Sequence, residues 1–327
     1  MTDVLVSEDI PGPAMDALRA TFDVAFEPEL WKSPERLAQR IAEARALIVR
    51  NQTQVTGALV SRAAGLQIIG RAGVGLDNVD VAAASAAGVV VSITPSQNSV
   101  TVAELTLGLM LALARRIPAA DRHVKGGAWA RLALSGVELF GKTLGIAGFG
   151  RIGFVTAMRG RALGMDVIAH DPYVDPDALT VTESRVRLVG LDELLAGSDF
   201  LACHLPGGEQ TRGLFDYGRF SRMKPTAYFI NVARGEVVDE PGLVRALEEG
   251  KIAGAALDVR ATEPPGPGPF DRLDNVILTP HVAGFTHEAQ RRVVAAVCRD
   301  VEAVLRGGAA AGFVNFPTPR RPGAQPE

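Results

Sequence analysis

The sequence predicts an α/β fold with two doubly wound parallel-sheet domains, and three observations support this. Short β-branched runs alternate with helical patterns through most of the chain, a long apolar helical stretch interrupts the alternation at residues 98–117, and the alternation then starts again. Such alternation is typical of βαβ units, whose parallel sheet is covered by helices on both faces. The chain has 327 residues, enough for two domains.

The first alternation predicts five strands, at Val4–Val6, Phe22–Phe26, Ala46–Val49, Leu66–Gly70 and Val89–Ile93. Between the second and third strands we expect a helix over Ser33–Ala44, because Ser33 can cap it and Pro34 suits its first turn.

The stretch 98–117 predicts one long helix, too hydrophobic for an exposed surface, which we place at a domain or subunit interface. The second alternation predicts strands at Thr143–Ala147, Asp166–His170, Phe200–Cys203, Tyr228–Val232, Gly254–Asp258 and Val276–Thr279. A final amphipathic helix, Thr286–Leu305, should return to the first domain. We therefore expect one discontinuous domain, 1–97 plus 286–327, and a second domain, 98–285, with a frayed tail from Pro317.

The composition excludes several classes of protein. With 47% hydrophobic and 22% charged residues the chain can bury substantial cores, and a net charge of −3 gives no reason to expect nucleic acid or an anionic membrane as a partner. The two cysteines, Cys203 and Cys298, lie far apart, and no secretory signal is visible, so we expect a cytoplasmic protein without disulfides. The apolar stretch Leu105–Ala114 is shorter than the roughly 20 residues that span a bilayer. No spacing suggests a metal site.

A glycine-rich turn follows the first strand of the second domain. Gly148, Gly150 and Gly153 form G-x-G-x-x-G, in which the glycines permit a tight turn, close approach to a pyrophosphate and tight helix–strand packing. The following helix N-terminus offers free N–H groups to phosphates. This pattern predicts a Rossmann domain that binds a dinucleotide.

Asp171 ends the next strand, at the spacing of an acid that binds the adenosine ribose. Its charge would repel a 2′-phosphate, and the surrounding AHDPY offers no Arg to hold one, so we expect NAD rather than NADP. Methyltransferases that use adenosylmethionine share a Gly-rich turn and an acid, but they do not need the polar strand ends described next.

Polar side chains follow the last three predicted strands: Arg234, then Asp258 with Glu263, then His281. Each could be structural if taken alone, but all should reach the sheet edge that carries the glycine turn. An imidazole exchanges protons near neutral pH, a nearby carboxylate fixes its tautomer, and a guanidinium holds a substrate carboxylate. The set indicates hydride transfer to or from a hydroxyl carbon.

On these motifs the chain resembles the D-isomer-specific 2-hydroxyacid dehydrogenases over nearly all of residues 1–316. The matching segments are VRNQTQVT (49–56), GRAGVGLDNVD (70–80), NSVTVAELTLGLMLALAR (98–115), GKTLGIAGFGRIG (141–153), MKPTAYFINVARGEVVDEPGLVRALEEGKIAGAALDV (223–259), Glu263-Pro264 and TPHVAG (279–284). The resemblance implies a catalytic trio of Arg234, Glu263 and His281.

The resemblance also implies the binding residues. The NAD contacts are Gly148, Gly150, Arg151, Ile152, Gly153, Asp171, Pro206, Thr211, Val232, Ala233, Asp258 and Gly284. The substrate contacts are Arg50, Asn51, Arg71, Val74, Gly75, Asn98 and Arg234. It implies a flavodoxin-like substrate domain, a cleft between the domains that closes about a hinge, and a homodimer formed through residues 98–140.

Within the family, the N-terminal stretches look most like short-form phosphoglycerate dehydrogenases and hydroxypyruvate reductases. Three departures bear on the substrate: Leu132-Ala133-Leu134 where phosphoglycerate enzymes carry basic residues, Arg260 in place of a usual Phe, and Leu205-Pro206-Gly207 near the cofactor. The first candidate substrate is 3-phosphoglycerate or phosphohydroxypyruvate, and hydroxypyruvate, glyoxylate or another small 2-oxo acid is the alternative. A further alternative is an NAD-sensing protein that acts like a corepressor. The sequence leaves open the physiological acid, the favoured direction and the effect of the last two departures on substrate or cofactor preference.

Overall fold

The structure, a computed structural model, describes residues 2–320. The chain divides into two compact units: unit 1 runs to Asn98 and resumes at Phe285, and unit 2 comprises Ser99–Gly284. The expected substrate domain also includes Met1 and residues 321–327, which lie outside the described residues, as does the end of the tail expected to fray.

Twelve strands are found within residues 2–320, all in parallel pairs. They are β1 (Thr2–Val6), β2 (Val24–Phe26), β3 (Ala44–Val49), β4 (Ile68–Arg71), β5 (Val90–Ser92), β6 (Thr143–Ala147), β7 (Asp166–His170), β8 (Arg187–Leu188), β9 (Phe200–Cys203), β10 (Tyr228–Asn231), β11 (Gly254–Leu257) and β12 (Val276–Leu278).

The same part of the chain forms twelve α-helices and several short 3₁₀ turns. The helices are α1 (Pro13–Arg19), α2 (Pro34–Arg40), α3 (Gly57–Arg62), α4 (Val81–Ala86), α5 (Ser99–Ala114), α6 (Ile117–Lys125), α7 (Arg151–Ala162), α8 (Leu179–Ser184), α9 (Leu191–Gly197), α10 (Tyr217–Phe220), α11 (Glu240–Glu248) and α12 (His287–Leu305).

Unit 1 contains a five-stranded sheet in the order β2-β1-β3-β4-β5. This is the flavodoxin-like order expected for the first domain. Successive residues of β1 face opposite hydrophobic clusters: Val4 and Val6 pack with α1 and α12, and Leu5 packs on the other face. Both faces of the sheet are therefore buried. The final helix, α12, packs against α1, β3 and β4, and Thr286 caps it by accepting a hydrogen bond from Ala289 N.

Unit 2 contains a seven-stranded sheet in the order β12-β11-β10-β9-β6-β7-β8. Counted from β6, its first six strands have the doubly wound dinucleotide-binding order 3-2-1-4-5-6, with β12 added at one edge. The strand order reverses between β6 and β9, which places the ligand-binding edge of the sheet at the carboxyl ends of these two strands. The two sheets confirm the predicted fold class.

The apolar helix of unit 2 is shorter than predicted. The helix expected over 98–117 ends at Ala114, and Arg116 takes a left-handed conformation before α6 begins. In a continuous helix the N–H of residue 118 would bond to the Ala114 carbonyl, but Pro118 has no N–H, and Val137 N donates to that carbonyl instead (2.8 Å). Most of the apolar surface of α5 packs within unit 2, against α7 and the strands β10 and β11.

Two other predictions needed correction. The helix expected over Ser33–Ala44 is α2 followed by a 3₁₀ turn, and the side chain of Ser33 makes no capping bond. The strand β8 was not predicted, because this two-residue edge strand, Arg187–Leu188, carries no apolar run.

Candidate active site

The glycine turn after β6 has the geometry that its sequence predicts. Gly148 has a φ of 91°, which side chains disfavour, and a Cβ at Gly153 would overlap the Gly148 carbonyl oxygen. Gly150 precedes the first residue of α7, and a Cβ there would meet nothing within 4 Å, so open space lies beside its backbone. The turn can therefore admit a pyrophosphate at the N-terminus of a three-turn helix.

Asp171 lies at the end of β7 beside this turn. Its Oδ2 accepts a hydrogen bond from Phe149 N (2.9 Å) and its Oδ1 accepts one from Tyr173 N (3.0 Å). These bonds fix the carboxylate while leaving lone pairs for ribose hydroxyls. The turn and the acid thus fit NAD, and the fixed negative charge disfavours a 2′-phosphate.

The loop after β9 lies on the other side of the point where the strand order reverses. Thr211 Oγ1 donates to the Pro206 carbonyl (2.7 Å), which brings these two predicted cofactor contacts together. Glu236 Oε1 accepts from Gly208 N (2.9 Å) and ties the loop to the segment after β10. Leu205 is buried in the core of unit 2, so this departure from the family pattern is a packing residue.

Asn231 organises the turn that carries Arg234 after β10. Its Nδ2 donates to the Arg234 carbonyl (2.8 Å) and its Oδ1 accepts from Ala233 N (3.0 Å). The Arg234 guanidinium donates to the Ala233 carbonyl (2.7 Å). Arg234 and Ala233 are half-buried, and Val232 is buried. The side chain is thus held at the carboxyl edge of the sheet.

Asp258 organises the turn that carries His281. Only 1% of Asp258 is exposed, and its carboxylate accepts from Thr279 Oγ1 (2.6 Å), Val282 N (2.9 Å) and Ala283 N (2.8 Å). The Asp258 carbonyl accepts from His281 N (2.7 Å). These bonds hold His281 at a φ of 55°, a conformation that is uncommon for a residue with a side chain and that clusters at functional sites.

His281 and Glu263 form the central pair of the site. The distance between His281 Nδ1 and Glu263 Oε2 is 2.6 Å, and about a third of each side chain is exposed (37% and 32%). Glu263 Oε1 accepts a second bond from Arg260 N (3.0 Å). Two groups predicted from separate strand ends therefore meet, and both remain accessible.

The charge of Glu263 fixes the tautomer of His281. Burial alone would raise the pKa of Glu263, but hydrogen bonds from His281 and Arg260 N and the positive charge of Arg234 hold it below its ordinary value. An ionised carboxylate only accepts hydrogen bonds, so Nδ1 carries the proton and donates it. Nε2 is then the nitrogen that can accept a proton from a ligand.

His204 differs from His281 in its surroundings. Burial lowers the pKa of His204 to about 4, and its Nε2 lies 3.2 Å from Thr156 Oγ1 on α7. The ring is therefore neutral near pH 7 and serves as a hydrogen-bonding partner of α7.

In unit 1, a buried acid shapes the loop that carries two predicted substrate contacts, Arg50 and Asn51. Glu8 is 3% exposed and accepts from the backbone N–H groups of Arg50 (2.8 Å), Gln52 (3.1 Å) and Thr53 (3.0 Å). Glu8 was not among the predicted site residues, because nothing in its local pattern links it to a loop more than 40 residues away.

The other predicted substrate contacts of unit 1 follow β4 and β5. The guanidinium of Arg71 covers Gly73, which has a φ of 153° and where any Cβ would overlap it. In the turn that follows, Val74 is 43% exposed. Asn98 is half-buried, and its Oδ1 has no hydrogen-bond partner among the described residues. Arg71 and Arg50 lie at the carboxyl ends of neighbouring strands, since Arg71 pairs with Val49.

The remaining predicted cofactor contacts also lie at the carboxyl edge of the unit 2 sheet. Arg151 and Ile152 begin α7 behind the glycine turn, and Gly284 follows the turn that carries His281.

Two parallel-sheet α/β units, one with a dinucleotide turn and an imidazole–carboxylate pair at the same sheet edge, define the class of this protein. Residues 107–283 match the family model described as D-isomer specific 2-hydroxyacid dehydrogenase, NAD binding domain. The chain belongs to the D-isomer-specific 2-hydroxyacid dehydrogenase family, and NAD is its cofactor.

Named relatives are consistent with this assignment. D-3-phosphoglycerate dehydrogenase of Archaeoglobus fulgidus is 43% identical over 316 residues, which are 96% of this chain and 59% of that protein. The chain thus spans about three fifths of the length of that relative. The crystal structure of TT0316 protein from Thermus thermophilus superposes with a TM-score of 0.89 at 35% identity, over 95% of this chain and 99% of that one. D-lactate dehydrogenase from Aquifex aeolicus, complexed with NAD and lactic acid, superposes with a TM-score of 0.86 at 29% identity, over 96% and 99% of the two chains.

Two further features are absent from residues 2–320. No helix in this range is both long enough and apolar enough to cross a membrane. The same residues contain no group of three or more His, Cys, Asp or Glu side chains that could hold a metal ion.

Proposed function

We propose that this protein interconverts a small 2-hydroxy acid and the corresponding 2-oxo acid with NAD, with His281 as the acid–base group. The observation that carries this proposal is the 2.6 Å contact between His281 Nδ1 and Glu263 Oε2, at the sheet edge that carries the glycine turn. Family membership supports the same reaction class.

In this proposal, Nε2 of His281 takes the hydroxyl proton when the acid is oxidised and returns it when the ketone is reduced. Glu263 keeps the proton on Nδ1 and stabilises the imidazolium that forms. The cofactor, when bound, supplies or accepts the hydride.

Arg234 binds the substrate carboxylate and polarises the adjacent carbonyl. A guanidinium can make two parallel hydrogen bonds to a carboxylate, so it orients the substrate as well as attracting it. The positive charge of Arg234 helps to lower the pKa of Glu263, which supports a position close to the acid–base pair. The NAD and substrate contacts named in the sequence analysis complete this proposal.

The first candidate substrate is 3-phosphoglycerate or phosphohydroxypyruvate. The name of the Archaeoglobus relative and the guanidinium groups of Arg50 and Arg71, at the edge of the unit 1 sheet, support it. The segment Leu132–Leu134, which carries no basic residue, favours an unphosphorylated acid such as hydroxypyruvate or glyoxylate.

A panel assay of NADH oxidation tests the proposal. Purified protein is mixed with NADH and phosphohydroxypyruvate, hydroxypyruvate, glyoxylate, pyruvate or a bulkier 2-oxo acid, and the loss of NADH absorbance is followed. We expect turnover with at least one of these acids, and a preference for phosphohydroxypyruvate would assign the first candidate. No turnover with any of them would contradict the proposed activity.

A homodimer formed through residues 98–140 is part of this proposal. The apolar surface that supports it lies beyond α5: Ile117, Trp129, Leu132 and Phe140 are 52%, 77%, 90% and 78% exposed. Covering such side chains favours association. Light scattering should show a dimer for the wild type and a weaker dimer for Leu132→Asp.

We also propose a cytoplasmic location, supported by the free thiols of Cys203 and Cys298.

A further inference from the structure

An enclosed ion pair lies beside the His281–Glu263 pair. Arg260 Nε donates to Glu240 Oε1 (3.0 Å) and Arg260 Nη2 donates to Oε2 (2.9 Å), with only 12% and 21% of the two side chains exposed. Two parallel bonds fix the relative orientation of the two groups, beyond the attraction of their charges. The guanidinium also lies 4.8 Å from the ring centre of buried Phe270.

Glu240 binds the backbone of the same loop. Its Oε1 accepts from Ala261 N (2.7 Å), and Glu240 is the first residue of α11, where a negative charge is favoured. Burial would raise the pKa of Glu240, but the bonds from Arg260 and Ala261 and the charge of Arg260 hold it below its ordinary value. Glu240 is therefore a charged anchor at the start of a helix that packs into the core of unit 2.

The other end of this short loop reaches the proposed active site. Arg260 N donates to Glu263 Oε1, and Glu263 Oε2 accepts from His281. The backbone of Arg260 also passes directly over Gly235, where a Cβ would overlap the Arg260 carbonyl, so the loop packs on the residue that follows Arg234. One short segment thus connects α11, the Arg234 turn and the acid–base pair.

We propose that Arg260 and Glu240 are positioning residues, whose ion pair holds the segment 260–263 so that Glu263 faces His281 Nδ1. Residues 261–266 are exposed and form neither helix nor strand, so without the ion pair Glu263 would sit on a loop free to turn away. This inference rests on the proposed function. It also accounts for Arg260, a departure from the family pattern, because its side chain turns toward Glu240.

Kinetics on a set of variants test this role. Arg260→Met and Glu240→Gln should each lower kcat roughly tenfold, the scale at which partners behind a reacting group act, and leave the KM for NADH unchanged. In the double variant, kcat should fall no further than in either single variant. Lys224→Met is the control, because it removes the Lys224–Asp199 pair at the opposite, amino-end edge of the same sheet. It should lower the melting temperature and leave kcat unchanged.

A second comparison separates positioning from general stability. If Arg260 acts through Glu263, Arg260→Met should have no further effect on kcat in a Glu263→Gln background. If Arg260→Met lowers kcat by the same factor in the wild type and in Glu263→Gln, or if Arg260→Met has the wild-type kcat, the inference is overturned. If Arg260→Met does not fold, Glu240→Gln, which keeps the side-chain shape, takes its place in each comparison.

Proton NMR tests the same contact without activity. A proton on Nδ1 that is strongly hydrogen-bonded to a carboxylate gives a far-downfield resonance, and we expect this resonance in the wild type. Its loss in His281→Gln would assign it to His281. In Arg260→Met we expect the resonance to move upfield. An unmoved resonance in Arg260→Met would overturn the positioning role. A wild type that shows the resonance but reduces no 2-oxo acid would instead contradict the proposed function alone.

Discussion

Glu263→Gln removes the charge of the carboxylate that faces His281 and keeps the side-chain size. The 2.6 Å contact is short, as charge-assisted hydrogen bonds are, and such bonds contribute about 1.5–3 kcal/mol. About a third of each side chain is exposed (37% and 32%), so water screens the pair, and we take the lower part of that range, about 1.5–2 kcal/mol. The imidazolium forms on the way to the transition state, so this loss should lower kcat by about 10–30-fold.

Initial rates of NADH oxidation, with saturating NADH and a varied 2-oxo acid, measure this effect. Glu248→Gln, at an exposed acid of α11, is the matched control and should behave like the wild type. A kcat for Glu263→Gln within twofold of the wild-type value, or an effect confined to KM, would refute the assigned role of Glu263.

Three further predictions address other parts of the site. Arg234→Ala should raise the KM for the 2-oxo acid more than tenfold, because a bidentate partner of the carboxylate is lost; an unchanged KM would contradict that role. Asp171→Ala should raise the ratio of kcat/KM for NADPH to that for NADH, since it removes the charge that faces a 2′-phosphate; an unaltered ratio would count against it. Burial lowers the pKa of His204 from its ordinary value of 6.5 to about 4, so the unfolded chain binds the proton first as the pH drops. The free energy of unfolding should therefore fall between about pH 6.5 and pH 4, by at most about 3 kcal/mol. Denaturant unfolding across that range should show a weaker pH dependence for His204→Gln, and equal slopes would contradict the burial argument.

The sequence predicts the buried strands well, because both faces of each sheet are covered. The strands β6, β7 and β9 have the bounds that their continuous apolar runs predict, as expected for parallel strands buried on both sides. The edge strand β8 has no such run, so pairing with β7 rather than its own sequence makes it a strand. The break after Ala114 has a local signal, Pro118, but the bond from Val137 N to the freed Ala114 carbonyl is a contact distant in the sequence.

The site could be predicted as a set of strand ends but not as a set of contacts. Residues such as Glu263 and His281 are visible because parallel strands present their carboxyl ends at one edge. The groups that hold them, including Asp258 as a turn anchor and Glu240 as a loop anchor, depend on side-chain direction and on pairing across the fold. The orientation of Arg260 depends on pairing in the same way, because its partner Glu240 lies on another element.

The most direct test of the central claim uses NADH that carries deuterium at both C4 positions, and it follows where the deuterium goes. With a 2-oxo acid that the protein reduces, mass spectrometry should find one deuterium on C2 of the hydroxy acid product. His281→Gln should form the same labelled product at a rate lower by roughly 10²–10⁴-fold. An unlabelled product, or a variant as fast as the wild type, would contradict the account.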